Sequence, residues 1–175
     1  MSTAIEQSKA MFIRQWSTMS SYWGISRTMA EIHALMYVST EPLCTDDVME
    51  QLQISRGNAS MNLRALVDWS LITRVHRKGD RKEYFVCEAD VWQMFETITR
   101  QRKRREVEPI VETIERCRAM VPVKTHRGQD ADAYRERLDN MLAFLNAISA
   151  VFNLILRLGR PGLSRVTKML GQLAK

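Results

Sequence analysis

Seven basic residues fall between Ser55 and Lys82: Arg56, Arg64, Arg74, Arg77, Lys78, Arg81 and Lys82, against only Asp68 and Asp80. Guanidinium and ammonium groups at that density suit one task above others, holding a polyanion. The surroundings make the cluster stand out. Residues 1–90 carry 10 basic and 11 acidic side chains in total, so the first half is otherwise acidic. Interleaved with the cations are groups that can read or hold a nucleic acid: Thr45, Ser55, Asn58, Ser60, Met61 and Asn62.

Other chemistries find little support. His33, His76 and His126 are scattered, with no cysteine or carboxylate at metal-ligand spacing. No paired carboxylates in a pocket-like context, nucleophile elbow or phosphate loop is found. Neither an enzyme, a metal nor a cofactor is expected. Cys44, Cys87 and Cys117 are odd in number and widely spaced, which suits a reducing cytoplasm. Cys44 or Cys87 could act as a thiol sensor, but a small buried hydrophobe is the simpler reading.

The elements that must position the cluster come next. Thr3 to Tyr22 reads as a first helix, interrupted at Gly24. Ser26 caps a second, Arg27 to Ser39, which Glu41-Pro42 ends because proline disfavours the helical conformation before it. Thr45 is expected to cap a short helix through Leu52, and Ser55 the next, Arg56 to Asp68. Two short helices joined by Gln53-Ile54-Ser55 make a helix-turn-helix. The period then changes. Leu71–His76 and Lys82–Val86 read as strands joined by the polar turn Arg77-Lys78-Gly79-Asp80-Arg81. A basic hairpin directly after a helix-turn-helix, spanning Leu71 to Val86, is a wing.

Beyond it, Asp90 and Gln93 form a plausible capping box for a long helix from Val91, which Pro109 should kink or divide. Pro122 to Gln129 reads as a linker. Asp130 to Leu158 is a final long helix, broken by Gly159-Arg160-Pro161-Gly162. Its apolar part, Met141 to Leu158, carries Asn146, Ser149 and Asn153 and falls short of the ~20 apolar residues of a membrane span. It reads as a buried or interface helix, with no membrane partner.

At ~100° per residue, Ala59, Leu63, Leu66 and Val67 share one side of the helix 56–68, the side that packs inward. Gly57, Asn58, Met61, Arg64, Ala65 and Asp68 lie opposite, with Ser60 and Asn62 at the edges. Arg64 can reach guanine O6 and N7, Asn58 or Asn62 can pair with adenine, and Met61 can touch a thymine methyl. Ser55, Arg56 and Ser60 are placed to hold phosphates. Arg74, Arg77, Lys78, Arg81 and Lys82 arm the wing.

The run Trp23-Gly24-Ile25-Ser26-Arg27, then Ala30 through Glu41-Pro42-Leu43, then Ser55-Arg56-Gly57-Asn58-Ala59-Ser60-Met61-Asn62-Leu63-Arg64 resembles the GbsR-like branch of the MarR transcriptional regulators. Gly79-Asp80-Arg81-Lys82 with Tyr84-Phe85 looks like that family's wing. The resemblance is dense over residues 20–105. It implies a homodimer on a pseudo-palindromic operator, mostly a repressor, with the first and C-terminal helices as dimer interface. It also suggests a small effector such as choline or another osmolyte, for which Trp16, Trp23, Trp69, Trp92, Tyr22 and Tyr37 could build an aromatic box.

The expected architecture is mainly α with a small β-hairpin. Residues 1–22 form an N-terminal helix contributing to dimerisation, 23–90 a winged helix-turn-helix domain, and 91–175 the linking and C-terminal dimerisation helices. The partner is double-stranded DNA. A winged-helix module binding an acidic protein, or a thiol-responsive regulator, is the alternative. Residues 91–175 hold 16 basic and 9 acidic residues. The run Arg100-Gln101-Arg102-Lys103-Arg104-Arg105 within them could be a second phosphate contact, or a solvated face paired with Glu106, Glu108 and Glu112.

Overall fold

Capping chemistry sets the helix starts in the computed structural model, which describes residues 3–122 and 128–173. Thr3 accepts from the Glu6 N–H while the Glu6 carboxylate accepts from Thr3, and helix α1 (Ala4–Thr18) follows. Helix α2 (Ser20–Trp23) is a single turn, closed by Gly24 at φ 64°, a left-handed conformation that glycine adopts without cost. The expected first helix is thus two. Ser26 caps α3 (Arg27–Val38), accepting from Met29 at 3.0 Å.

The chain forms two compact units, Met1–Thr97 and Ile98–Lys175. At the centre of the first lies α3, buried at Met29, Ala30, Ile32, His33, Ala34, Leu35 and Met36. It packs against α1 on one side and against α5 (Arg56–Asp68) and the sheet on another. Ile32, Leu63, Leu66, Ile72 and Val48 are at most 1% exposed, so each contributes about 1.5–3 kcal/mol of burial.

The sheet holds a strand that local pattern does not announce. Strand β1 (Leu43–Cys44) pairs antiparallel with β3 (Glu83–Cys87), and β3 also pairs with β2 (Ile72–His76), giving the order β1-β3-β2. The registers are Leu43 opposite Phe85 and Val75 opposite Tyr84. The wing is therefore anchored through β3 to the segment just before α4 (Thr45–Leu52). That pairing also corrects one capping assignment. Cys44, not Thr45, is the N-cap: its extended backbone N–H donates to Asp47 Oδ2 at 2.7 Å, leaving Thr45 as the first helical residue.

Helix α6 (Val91–Arg102) begins in the first unit and passes into a π-helical turn at Lys103–Val107 before α7 (Glu108–Met120). Pro109 is the cause. It has no N–H for the Arg105 carbonyl and its ring crowds that oxygen, and the chain accommodates it by widening the preceding turn. The Glu108 N–H accordingly reaches the Lys103 carbonyl, five residues back. Helix α8 (Gln129–Leu173) is interrupted at Gly159, φ 55° and ψ −170°, where the sequence placed its break.

Two observations bear on the reading of α8 as a buried or interface helix. From Gln129 through Gly159 the helix runs 31 residues, with mean hydropathy 1.8 over its most apolar stretch, so by length and composition it is long enough to cross a membrane. The helix is also not buried within this chain: Met141, Phe144, Val151 and Leu154 are 49%, 60%, 56% and 56% exposed. The linker's residues 123–127, His126 among them, lie outside the described residues.

Candidate nucleic-acid interface

Helix α4 ends on Gln53 in the left-handed conformation (φ 54°), and Ile54 donates back to the Met49 carbonyl at 3.2 Å. This tight turn delivers Ser55, whose side chain accepts from the Asn58 N–H at 3.3 Å and starts α5. Ala59, Leu63 and Leu66 are buried beneath. Gly57, Met61, Arg64 and Asp68, spaced four, three and four apart, form one exposed stripe. Met61 is 62% exposed, a large apolar side chain held in solvent. A Cβ at Gly57 would meet nothing within 4 Å, so the small residue serves no neighbour inside the chain.

The two asparagines sit differently from the helical-wheel expectation. Asn62 Nδ2 donates to the Asn58 backbone oxygen at 2.9 Å and to Asn58 Oδ1 at 2.7 Å, while Asn62 Oδ1 accepts from Ser26 Oγ at 2.9 Å. Both are half-buried. Asn58 therefore belongs to the edge rather than the outward face, and the pair fastens α5 to the start of α3.

Four of the residues singled out by sequence do come together. Thr45, Ser60, Arg64 and Arg74, with Leu63, Glu83 and Phe85, line a cleft of about 310 Å³. The cleft lies between the stripe on α5 and the wing. Arg64 Nε donates to the Ser60 carbonyl at 3.2 Å. Among the described residues no acidic side chain pairs with its guanidinium, so its terminal nitrogens remain available. Arg74 faces Glu83 across the hairpin at 3.9 Å.

The remaining cations divide into restrained and unrestrained. Asp46 ion-pairs with Arg56 and, at 3.0 Å, with Lys82. Hydrogen bonds from Lys82 and then Arg56 hold its carboxyl below the usual range, and Asp46 in turn raises the Lys82 ammonium. Arg77 lies 4.4 Å from the centre of the Tyr84 ring and reaches Glu41 Oε2 at 3.3 Å. Lys78 and Arg81 are exposed at the wing tip, with no ion pair among the described residues.

Asp80 builds that tip. It accepts from the Lys82 N–H at 3.0 Å and from the Tyr84 hydroxyl at 2.7 Å, beside Gly79 at φ 86°. Those bonds, the Lys82 N–H first, pull its carboxyl down, and the hydroxyl bond pushes Tyr84 up. Asp80 and Tyr84 thus shape the wing tip and Asp46 restrains two cations, and none of the three is in the sequence-based set. The local signal for Asp80 was its place in the turn. For Asp46 there was none.

Other sequence-based sites fare less well. Phe12 stacks on Trp16 at 5.6 Å and meets Tyr37 at 6.0 Å, but Trp92 pairs with Phe95 on α6, Trp69 ends α5, and Tyr22 is 88% exposed. The side chain of Trp23 lies outside the described ones. No aromatic box forms among the described side chains, because these residues belong to different faces. Burial, then Glu88, pushes the Cys87 thiol up to about 11, the opposite of the low-pKa thiolate a redox sensor needs. Cys44 is buried, as the simpler reading of it requires.

Residues 23–83 match the family model described as MarR family. The HTH-type transcriptional repressor GbsR of Bacillus subtilis (strain 168) is 29% identical over 136 residues, covering 77% of this chain and 75% of that protein. The HTH-type transcriptional repressor OpcR of the same organism is 23% identical, over 52% of this chain and 49% of that protein. A crystal structure of a transcriptional regulator shares the fold with a TM-score of 0.67 and 21% identity, over 85% of this chain and 95% of that one.

Proposed function

We propose, on the premise that residues 23–83 are a MarR-family domain and the chain a DNA-binding transcriptional regulator rather than an enzyme, that it represses as a homodimer on a pseudo-palindromic operator. Two copies of α5 would enter successive major grooves, with the wings on the flanking backbone. The observation that carries this reading is the exposed stripe Gly57, Met61, Arg64 and Asp68 beside the Thr45–Ser60–Arg64–Arg74 cleft.

Within it, Arg64 and Met61 read base edges, with Asn58 and Asn62 at the margin. Ser55, Arg56, Ser60 and Thr45 hold phosphates, and Arg74, Arg77, Lys78, Arg81 and Lys82 serve the wing. Residues 23–90 are the DNA-binding domain. Residues 1–22 and 91–175 supply dimerisation. Exposed Met141, Phe144, Val151 and Leu154 favour helix pairing through α8, since they recur at three- and seven-residue intervals on one face. Work on DNA implies a cytoplasmic protein. A small effector, choline or another osmolyte, remains the expectation that the sequence resemblance suggests; it would act by changing the separation of the two heads.

Selection of bound sites from random duplex DNA tests the reading. The expected product is a two-fold symmetric site whose half-sites lie about 10 base pairs apart, or a multiple of that. Repeating the selection with choline tests the effector. Enrichment of no sequence, or of a single asymmetric half-site at one chain per duplex, would overturn the homodimer mechanism.

A further inference from the structure

The second unit contains a cleft of about 530 Å³ between the π-helical turn and α8, separate in chain position from the DNA-facing residues. Four of its seven lining residues are cations: Arg100, Lys103, Arg104 and Arg157. The single carboxylate, Glu108, lies 3.7 Å from Lys103 Nζ, and that nitrogen also donates to Asn153 Oδ1 at 3.2 Å. Lys103 is therefore satisfied and ties the turn to α8. Arg100, Lys103 and Arg104 share the cleft side at the three- and four-residue spacing of an ordinary helix, and the π-turn adds Glu108, five residues after Lys103, to it.

Arg100, Arg104 and Arg157 are different. They are exposed and have no acidic partner among the described residues. Arg102 and Arg105, in the same basic run but outside the cleft, bond to Glu106 at 3.4 Å and to Gln101 at 3.3 Å. Three guanidinium charges without an acidic partner among the described residues thus face the cleft. Three guanidinium groups around one volume repel each other until an anion enters, and each offers paired donors that match carboxylate or phosphate oxygens. Leu156 adds an apolar wall, and the volume falls in the range of small-molecule sites.

We propose that this cleft binds a small organic anion bearing carboxylate or phosphate groups, gripped by Arg100, Arg104 and Arg157. A quaternary ammonium ion would be repelled, so the site is not that of an osmolyte such as choline. The assignment does not depend on the operator-binding reading.

Isothermal titration of the full chain with citrate, inorganic phosphate and choline tests it. Citrate should bind saturably and phosphate more weakly, while choline should give no heat of binding. Arg100→Gln and Arg157→Gln should each weaken citrate at least tenfold, with circular dichroism unchanged. Arg116→Gln, outside the cleft, should leave binding as it was. Absence of saturable citrate binding, or binding that survives Arg100→Gln with Arg157→Gln together, would overturn the proposal. So would a double variant that loses affinity for random duplex DNA in a protein that never bound citrate; the cluster would then be a backbone contact.

Discussion

Replacing Asp46 with asparagine should strengthen DNA binding in a salt-dependent, sequence-independent way. In the free chain Asp46 holds both Arg56 and Lys82, one from α5 and one from the wing. Both belong to the cluster expected to meet phosphates, yet while they face Asp46 they displace few counterions from DNA. An amide removes the negative charge and keeps the size. Each cation then free to meet a phosphate adds about 0.9 to the slope of log K against log salt. Two of them steepen it by up to about 1.8, so the variant's advantage should shrink roughly twelvefold between 50 and 200 mM salt. Fluorescence anisotropy on operator and on random duplexes, over that salt range, measures both slopes. The gain should be the same on the two DNAs, because phosphates carry no sequence information. Parallel salt lines for the Asp46→Asn variant and the parent chain, or a loss of affinity, would refute the reasoning: Asp46 would then be orienting the cations instead of withholding them.

The remaining expectations follow from the same structure. Arg64→Ala should cost about 1–3 kcal/mol on operator and relax one base-pair preference, whereas Lys78→Ala should weaken all sequences alike; equal losses on operator and random DNA from both changes would sink that division of roles. His33 is 4% exposed beside Trp16, its Nε2 has no hydrogen-bond partner among the described residues, and burial pushes its pKa from 6.5 to about 4. The unfolded chain therefore binds the extra proton first, and about 3 kcal/mol of stability present above pH 6.5 should be lost as pH falls towards 4. Urea unfolding at several pH values would show that loss in the parent and not in His33→Leu; identical pH dependence in both would exclude His33 as its source. Phe144→Glu with Val151→Glu should convert the proposed dimer to a monomer in sedimentation and weaken operator binding, while the near-ultraviolet spectrum of the first unit persists; an unchanged sedimentation coefficient would move the interface away from α8.

Helix α5 and the hairpin were legible because their determinants are local. Ala59, Leu63 and Leu66 recur at helical spacing and are buried as that spacing requires, Ser55 caps where a cap was expected, and β-branched residues mark Ile72–His76. Side-chain type and a period of 3.6 or 2 are properties of a short stretch, so a short stretch reveals them. Pro109 likewise announced an interruption, though not that the chain would answer with a wider turn.

What the fold alone decided lies in pairs distant along the chain. Asp46 meets Lys82, Ser26 meets Asn62, and Leu43–Cys44 becomes a strand only because Tyr84 and Phe85 lie opposite it. Lys103 meets Asn153 fifty residues away, and a cleft of arginines with no acidic partner among the described residues opens beside them. No local period encodes such meetings, since they arise when helices and strands are packed to bury their apolar faces and the polar rims come together as a result. The sequence by itself named the cations; tertiary packing decided which are already neutralised and which remain free to hold an anion.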